Sequence, residues 1–247
     1  MEKLNLVKGL NIIGLGLYYK KLDALILSDL HIGYEEVLAE QGIHLPRTQY
    51  KKMKKIIEMM IKETNPEAII LVGDIKHEFG EITRQEWVEV KDLIKFLKEN
   101  VKEIHVIRGN HDNFLIPILK KEGIPLHDPY LFLNDILFIH GHKKLDLSKI
   151  NANLIIMGHE HPAVALRDEL GIKHKFKCLL FGNYKEKRII VLPAFSPLMP
   201  GSEVNIIPRE KLLSPILKDM DIDEFRVFVS EPNIGIYDFG KLKNLRF

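Results

Sequence analysis

Five short apolar runs in the chain each end abruptly in a cluster of polar residues. The runs are DALILSDLHIG (23–33), PEAIILVGDIKH (66–77), EIHVIRGNHD (103–112), DILFIHGHK (135–143) and NLIIMGHEHP (153–162). Short runs that are rich in β-branched residues and closed by glycine or a polar turn are typical of buried strands. The pattern therefore predicts five strands that end in histidine, aspartate or asparagine.

Two amphipathic helices are predicted between the first three runs. The first has the three-four spacing of a helix with one apolar face, formed by Met53, Ile56, Ile57, Met60 and Ile61. The second begins at TRQE (83–86), which fits a capping box, and its apolar stripe is formed by Trp87, Val90, Ile94 and Leu97. Alternation of strand and helix predicts parallel strands, whose carboxyl ends lie on one edge of a sheet. The five polar clusters are therefore expected to meet at one edge of one sheet.

The second half of the chain predicts antiparallel strands instead. HKFKCLLFGNYKEKRIIVLPAF (174–195) indicates two strands around a polar turn, and FRVFVSEPNIGIYDF (225–239) indicates a hairpin around Glu-Pro-Asn. These strands are expected to build a mixed or second sheet that packs on the first. Because there is no repeat, low-complexity segment or linker, one domain over residues 1–247 is predicted.

Composition narrows the class of protein without identifying it. The 247 residues are 46% hydrophobic and 28% charged, which is ordinary for a globular protein, and the net charge of +2 does not by itself indicate a polyanionic partner. The single cysteine, Cys178, excludes a disulfide framework and suits a reducing compartment. The beginning of the chain lacks a signal-peptide pattern, and no apolar run approaches the ~20 residues of a membrane span. We therefore expect a cytoplasmic protein without a membrane partner; the sequence gives no signal of an oligomeric state.

The polar clusters have the composition of a metal site. Carboxylate, imidazole and amide oxygen together suit Mn²⁺, Fe²⁺, Co²⁺, Ni²⁺ or Zn²⁺. Seven residues are candidate ligands: Asp29, His31, Asp74, Asn110, His140, His159 and His161. A structural zinc site needs about four ligands and then closes, so seven are too many for one ion. Two ions roughly 3.5–4 Å apart, sharing one carboxylate, would use all seven and leave positions for water and substrate.

The motifs DLH, GD, GNHD, HG and GHEH, in this order from Asp29 to His161, resemble the calcineurin-like metallophosphoesterase superfamily. The resemblance implies an α/β fold, a four-layer αββα sandwich of two mixed β-sheets flanked by helices. The stretches GDIKHEF (73–79) and LPAFSPLMPG (192–201) are similar to the DNA ligase-associated, ICC-like branch. Bacterial relatives in that branch are linked with DNA repair genes and act on phosphodiesters, including DNA.

The resemblance also implies a role for each matching residue. Asp29, His31 and His161 would hold one ion, Asn110, His140 and His159 would hold the other, and Asp74 would bridge them. His111 would assist the leaving group. Asp112 would orient His111. A hydroxide that bridges the two ions would attack phosphorus in line. Mn²⁺ is the expected metal, with Ni²⁺, Co²⁺, Fe²⁺ or Zn²⁺ as alternatives.

Three further residues near the motifs have open roles. His77 stands where many members have an acidic residue, and it either supports a ligand or contacts the substrate. His142 contacts metal, contacts substrate or closes its loop. Arg108 reaches a substrate phosphate or forms an ion pair at the sheet edge. The segment 34–49, which contains Tyr34, is a candidate wall of the cleft.

Three functions are compatible with these features. The first hypothesis is a dinuclear metal-dependent phosphodiesterase acting on nucleotides or nucleic acid. The alternative within enzymes is a phosphomonoesterase of small metabolites, because the same metal centre serves both reactions. The third is a catalytically silent scaffold for protein binding, against which the complete set of candidate ligands argues.

Overall fold

The computed structural model describes residues 2–231 and 234–247, and it shows two mixed β-sheets packed face to face. The first sheet has seven strands in chain order: β1 (Lys3–Val7), β2 (Leu10–Ile13), β3 (Gly16–Tyr19), β4 (Ala24–Leu27), β5 (Ala68–Val72), β6 (Glu103–Ile107) and β7 (Leu126–His127). Strands β1 to β4 pair antiparallel, whereas β4 to β7 pair parallel. The parallel part carries the first three polar clusters at its carboxyl ends.

The second sheet contains the remaining nine strands. They are β8 (Tyr130–Leu133), β9 (Ile136–Ile139), β10 (Leu154–Met157), β11 (Pro162–Arg167), β12 (Lys173–Tyr184), β13 (Lys187–Val191), β14 (Ser202–Glu203), β15 (Arg226–Glu231) and β16 (Gly235–Lys241). Strand β10 pairs parallel with both β9 and β13, whereas β12 pairs antiparallel with β13 and β15 pairs antiparallel with β16. The two predicted strand pairs of the second half are thereby confirmed, although Pro232 and Asn233 of the Glu-Pro-Asn turn lie outside the described residues.

Helices cover the outer faces of the two sheets. The α-helices are α1 (Tyr34–Glu40), α2 (Gln49–Thr64), α3 (Arg84–Asn100) and α4 (Ile116–Glu122). Apolar residues of α2, α3 and α4 share one core with the first sheet. The outer core of the second sheet includes residues of short 3₁₀ helices instead, such as Leu147, Leu217, Ile222 and Leu242. The expected four-layer arrangement is therefore confirmed, with 3₁₀ helices in the fourth layer. No helix among the described residues is long and apolar enough to cross a membrane.

The start of α3 confirms one prediction and corrects another. Thr83 accepts a hydrogen bond from the backbone N–H of Glu86, and the Glu86 carboxylate accepts one from the N–H of Thr83, so the capping box is present. Trp87, however, is 42% exposed and lies outside the core. Polar Gln85 and Glu86 are the buried residues of this first turn. Leu93 joins Val90, Ile94 and Leu97 in the apolar stripe.

The expectation that all five polar clusters lie on one edge of one sheet is wrong. Strands β4, β5 and β6 belong to the first sheet, but β9 and β10 belong to the second. Only two residues, Asp128 and Pro129, separate β7 from β8. A parallel return to the same sheet needs a dozen or more residues. Strand β8 pairs with β9 and belongs to the second sheet, so the chain changes sheets between β7 and β8 and the clusters meet at the junction of two sheet edges.

Candidate metal centre

Hydrogen bonds join the motif-bearing edges of the two sheets. His140, which follows β9, donates from Nδ1 to the carbonyl oxygen of Val72 at the end of β5, at 3.0 Å. The backbone N–H of His159, which follows β10, donates to Oδ2 of Asp29 beyond β4, at 3.1 Å. The second sheet thus places its histidines directly against the aspartates of the first.

Five of the seven predicted ligands have left-handed backbone conformations. The φ angles are 57° at Asp29, 44° at His31, 48° at Asp74, 67° at His159 and 49° at His161. Residues other than glycine adopt this region rarely, at a cost of about 1–3 kcal/mol each, and they cluster at functional sites. The backbone therefore turns sharply at these positions to aim the side chains at one another.

Glycines next to the motifs allow the loops to approach closely. A Cβ atom on Gly109, just before Asn110, would lie 2.0 Å from Oδ1 of Asp74. A Cβ on Gly158, just before His159, would lie 1.9 Å from Oγ of Ser28. Neither distance is possible for a real side chain, so both positions need glycine for the loops to meet.

The first donor group consists of Asp29, His31, Asp74 and His161. All four are buried, and one potential ligand atom from each lies within 4.8 Å of the others. Nε2 of His161 lies 3.1 Å from Oδ1 of Asp29 and 3.3 Å from Nε2 of His31. Two carboxylates and two imidazoles in this arrangement suit a divalent cation.

The second donor group consists of Asp74, His140 and His159, again within 4.8 Å. Nε2 of His140 lies 3.2 Å from Oδ2 of Asp74 and 3.1 Å from Oδ1 of Asn110. A neutral His140 ring carries its proton on Nδ1, which donates to Val72. Its Nε2 therefore directs a lone pair at the oxygens of Asp74 and Asn110. A divalent ion at the centre of this set would satisfy the nitrogen and the oxygens together.

The protonation states of the site agree with this reading. Burial holds the pKa of His31 well below its usual range and lowers the pKa of His159 to about 3, so both rings are neutral near pH 7, as metal ligation requires. Burial also opposes ionisation of Asp74, but His140 outweighs it and holds the Asp74 pKa well below normal. Burial alone would lower the pKa of His140, but the Asp74 carboxylate outweighs burial and raises this pKa to about 10. The additional proton on His140 lies where a metal ion would neutralise Asp74.

Asp74 lies at the centre of the whole cluster. Its Oδ1 accepts the backbone N–H of His111 at 2.9 Å. Its Oδ2 faces three imidazoles, with Nε2 of His140, His111 and His31 at 3.2, 3.8 and 3.9 Å respectively. Asp74 is the residue that the two donor groups share.

Asp112 supports the site differently from the prediction. Its carboxylate accepts three backbone N–H groups, those of Asp74 at 2.8 Å and of Ile75 and Gly109 at 2.9 Å each. Nδ1 of His111 donates instead to the carbonyl oxygen of His77. Asp112 therefore holds the Asp74 loop against the Asn110 loop, and the expectation that it orients the His111 ring is wrong. Burial and the nearby Asp74 raise the pKa of Asp112 to about 6.

His77 and His111 extend the cluster on the side of the first sheet. Nδ1 of His77 lies 3.2 Å from Nδ1 of His31, and one potential ligand nitrogen from each of His31, His77 and His111 lies within 4.8 Å of the other two. The ring of Tyr34 packs on His77 at 3.9 Å, and the ring of Phe79 packs on His111 at 3.6 Å, between centroids. His77 thus contacts the ring of a predicted ligand, and Tyr34, at the start of the segment 34–49, contacts His77.

Arg108 and His142 have other contacts. Nη1 of Arg108 forms an ion pair with Asp128 at 2.8 Å, which is one of the two alternatives that the sequence left open. The ring of His142 lies 5.1 Å from that of His140 and 6.0 Å from that of His159. His142 is outside the three donor groups found in the described residues.

The sequence analysis missed two buried residues beside the ligands. Oγ of Ser28 donates to Oδ2 of Asp29 at 2.6 Å. Lys76 is completely buried and donates to the carbonyl oxygen of Glu78; burial lowers its pKa. The available signal for both is their position inside the motifs LSDLH and GDIKH, where a polar side chain has little access to water.

Comparison with known proteins agrees with the geometry. The sequence model of one family, described as calcineurin-like phosphoesterase, matches residues 22–163, more than half of the 247-residue chain. The crystal structure of the Pseudomonas putida nuclease MPE is similar, with a TM-score of 0.67, 19% sequence identity and coverage of 93% of this chain and 94% of that one. Yfce, a phosphoesterase from E. coli, is similar with a TM-score of 0.39, 14% identity and coverage of 90% and 94%. No curated protein sequence gives a significant match.

Proposed function

The chain belongs to the calcineurin-like phosphoesterase family, and we propose from this that it is a dinuclear metal-dependent phosphodiesterase acting on nucleotides or nucleic acid. The observation that carries the proposal is the position of Asp74, which belongs to both donor groups and faces three imidazoles with one oxygen. One carboxylate shared between two groups of ligands is the arrangement that a pair of ions needs.

The family resemblance implies how the residues would divide between the two ions. Asp29, His31 and His161 would hold one, Asn110, His140 and His159 would hold the other, and Asp74 would contact both. When bound, a pair of ions such as Mn²⁺ lowers the pKa of water and neutralises charge on the phosphoryl oxygens. Ni²⁺, Co²⁺, Fe²⁺ and Zn²⁺ suit the same donors.

The contacts of His111 support the proposal that it assists the leaving group. Its Nδ1 is occupied by the His77 carbonyl, so the atom that faces the cluster is Nε2, 3.8 Å from Oδ2 of Asp74. A proton or hydrogen bond given from Nε2 would stabilise the charge that grows on the departing oxygen. The rings of His77 and Phe79 fix the plane of the imidazole.

Two observations support a diester substrate with nucleotide character. A structural neighbour that covers nearly the whole chain is a nuclease. The stretches GDIKHEF and LPAFSPLMPG are similar to the DNA ligase-associated, ICC-like branch. On the same basis we propose a role in DNA repair, and the single cysteine, Cys178, suits the reducing environment of the cytoplasm.

A substrate panel tests the proposal. We expect the metal-free chain to hydrolyse bis-p-nitrophenyl phosphate and single-stranded DNA when Mn²⁺ is added, to lose both activities with chelator, and to turn over p-nitrophenyl phosphate more slowly. Faster hydrolysis of the monoester would favour the phosphomonoesterase. Absence of turnover across all substrates and all five metals would favour the silent scaffold.

A further inference from the structure

We propose that Ser214 and Glu160 are positioning residues that clamp the two histidine-bearing turns of the second sheet at the spacing that the second ion needs. The inference rests on the proposed metal-dependent function and concerns the ion assigned to His140 and His159. Neither residue belongs to a donor group, and Ser214 lies outside the stretch matched by the family.

The clamp consists of two hydrogen bonds from one residue. Oγ of Ser214 donates to the carbonyl oxygen of Gly141, the residue between His140 and His142, at 2.8 Å. The backbone N–H of Ser214 donates to Oε2 of Glu160, the residue between His159 and His161, at 2.9 Å. One serine thus connects the turn after β9 to the turn after β10.

The clamp is completely buried and firmly attached. Ser214 and Glu160 are both 0% exposed, so the hydrogen bonds do not compete with water. Leu212, Ile216 and Leu217 on either side of Ser214 are buried in the outer core of the second sheet. The Ser214 hydroxyl also accepts the N–H of Ile216 at 3.3 Å, which sets its orientation. The serine is therefore a fixed point against which both turns are held.

The local backbone depends on this fixed point. Gly141 has a φ of 107°, and a Cβ there would lie 2.6 Å from Cε of Met157. A glycine turn has no side chain to restrict it, so the hydrogen bond to its carbonyl is what selects the conformation. A backbone hydrogen bond from the N–H of Gly158 to the carbonyl of His140, at 3.1 Å, also joins the two turns. Removing the clamp would free the Gly141 carbonyl and leave the turns held by that bond, by the pairing of β9 with β10 and by the contacts of His140 and His159 with the first sheet.

A positioning role predicts a specific loss of metal affinity. Partners that orient metal ligands typically contribute roughly 10- to 100-fold to affinity. In Mn²⁺ titration calorimetry of the metal-free full chain, Ser214→Ala and Glu160→Ala should each weaken the second site by roughly tenfold or more. The double variant should be no weaker than the weaker single variant, because either change breaks the same clamp. Glu160→Gln keeps an oxygen that accepts the Ser214 N–H and should restore binding.

A matched control separates positioning from general stability. Asn205 is an equally buried cross-link in the same sheet, bonding Ala165 and the carbonyl of Leu245, and it lies away from the donor groups. Asn205→Ala should lower the metal-free melting temperature but leave Mn²⁺ affinity within about twofold. In a His159→Ala background, which removes the second site, Ser214→Ala should likewise change the remaining site by less than about twofold.

The outcomes distinguish the inference from the function on which it rests. If wild type binds two Mn²⁺ ions and Ser214→Ala binds them equally well, the clamp is purely structural and the inference is wrong. Additive losses in the double variant, or a Glu160→Gln variant as weak as Glu160→Ala, would also overturn it. Wild-type protein that takes up no Mn²⁺ would overturn the proposed function itself.

Discussion

At the scale of single residues, the site holds side chains in surroundings, and backbones in conformations, that cost free energy. Asp29 and Asp74 are buried, and five predicted ligands have left-handed backbones. Each feature costs free energy in a folded chain without metal. A bound cation would offset that cost by neutralising the carboxylates. The residue types were readable from the motifs, whereas the φ angles were not, because they are imposed by the meeting of loops distant in sequence.

Asp74→Asn should abolish activity together with most of the bound metal. The amide keeps the size of the side chain but removes the charge shared by both donor groups. Metal analysis after dialysis against Mn²⁺, with an assay on bis-p-nitrophenyl phosphate, measures both effects. Asp168→Asn, at an exposed position, is the control and should behave as wild type. A fully active Asp74→Asn protein would refute the shared-carboxylate assignment.

His111→Ala should slow substrates with poor leaving groups far more than those with p-nitrophenolate. The reason is that a good leaving group needs little help from a proton donor. We expect a loss of roughly 10²–10⁴-fold on a dinucleotide and a much smaller loss on bis-p-nitrophenyl phosphate. Comparing kcat for the two substrates tests this, with exposed His174→Ala as the control. Equal losses would assign His111 to phosphoryl binding.

At the scale of elements, local signals in the sequence predicted the elements themselves better than their environment. The capping box at Thr83 was correct because it needs only residues three apart. Trp87 was misplaced because its environment depends on what reaches the first turn of α3 from elsewhere. There the Glu86 carboxylate accepts the backbone N–H groups of His77 and Glu78, so a polar network occupies the inner side of the turn.

The half-buried Glu89 of α3 predicts a pH dependence of stability. Burial raises its pKa from 4.5 to about 7, with Glu35 adding to the effect and a hydrogen bond from Gln85 opposing it. The folded chain therefore binds this proton more tightly than the unfolded chain, and stability falls as the pH rises from 4.5 to about 7. Glu89→Gln should raise the melting temperature at pH 8 and leave it nearly unchanged at pH 5.

Melting curves in the presence of chelator measure this effect without interference from metal. Glu99→Gln, at an exposed position of the same helix, is the control and should show no such difference between the two pH values. A Glu89→Gln gain that is equal at pH 5 and pH 8 would contradict the assignment of the effect to this carboxyl group.

At the scale of the whole molecule, the candidate centre joins two sheets. The motifs predicted which residues would gather, because strand ends can be recognised locally. They did not predict that β9 and β10 lie in a different sheet from β4 to β6, since sheet membership depends on pairing between strands that are distant in sequence, such as β10 with β13. Ser214 was equally unpredictable, because its contacts with Gly141 and Glu160 span 73 and 54 residues of sequence.

Metal should therefore stabilise the molecule as a whole. An ion that contacts residues of both sheets binds only when they are docked, so it stabilises the folded state by mass action. At a Mn²⁺ concentration about 100 times the dissociation constant, one site contributes about 2.7 kcal/mol, which corresponds to a rise of about 5 °C or more in melting temperature. Chelator should reverse the rise. A melting temperature that does not respond to any divalent ion would contradict a site between the sheets.

Anomalous diffraction from crystals grown with Mn²⁺ can locate the ions themselves. We expect two peaks on either side of the Asp74 carboxylate, one contacting Asp29, His31 and His161 and the other contacting Asn110, His140 and His159. A single peak, or peaks that do not touch Asp74, would contradict the shared centre.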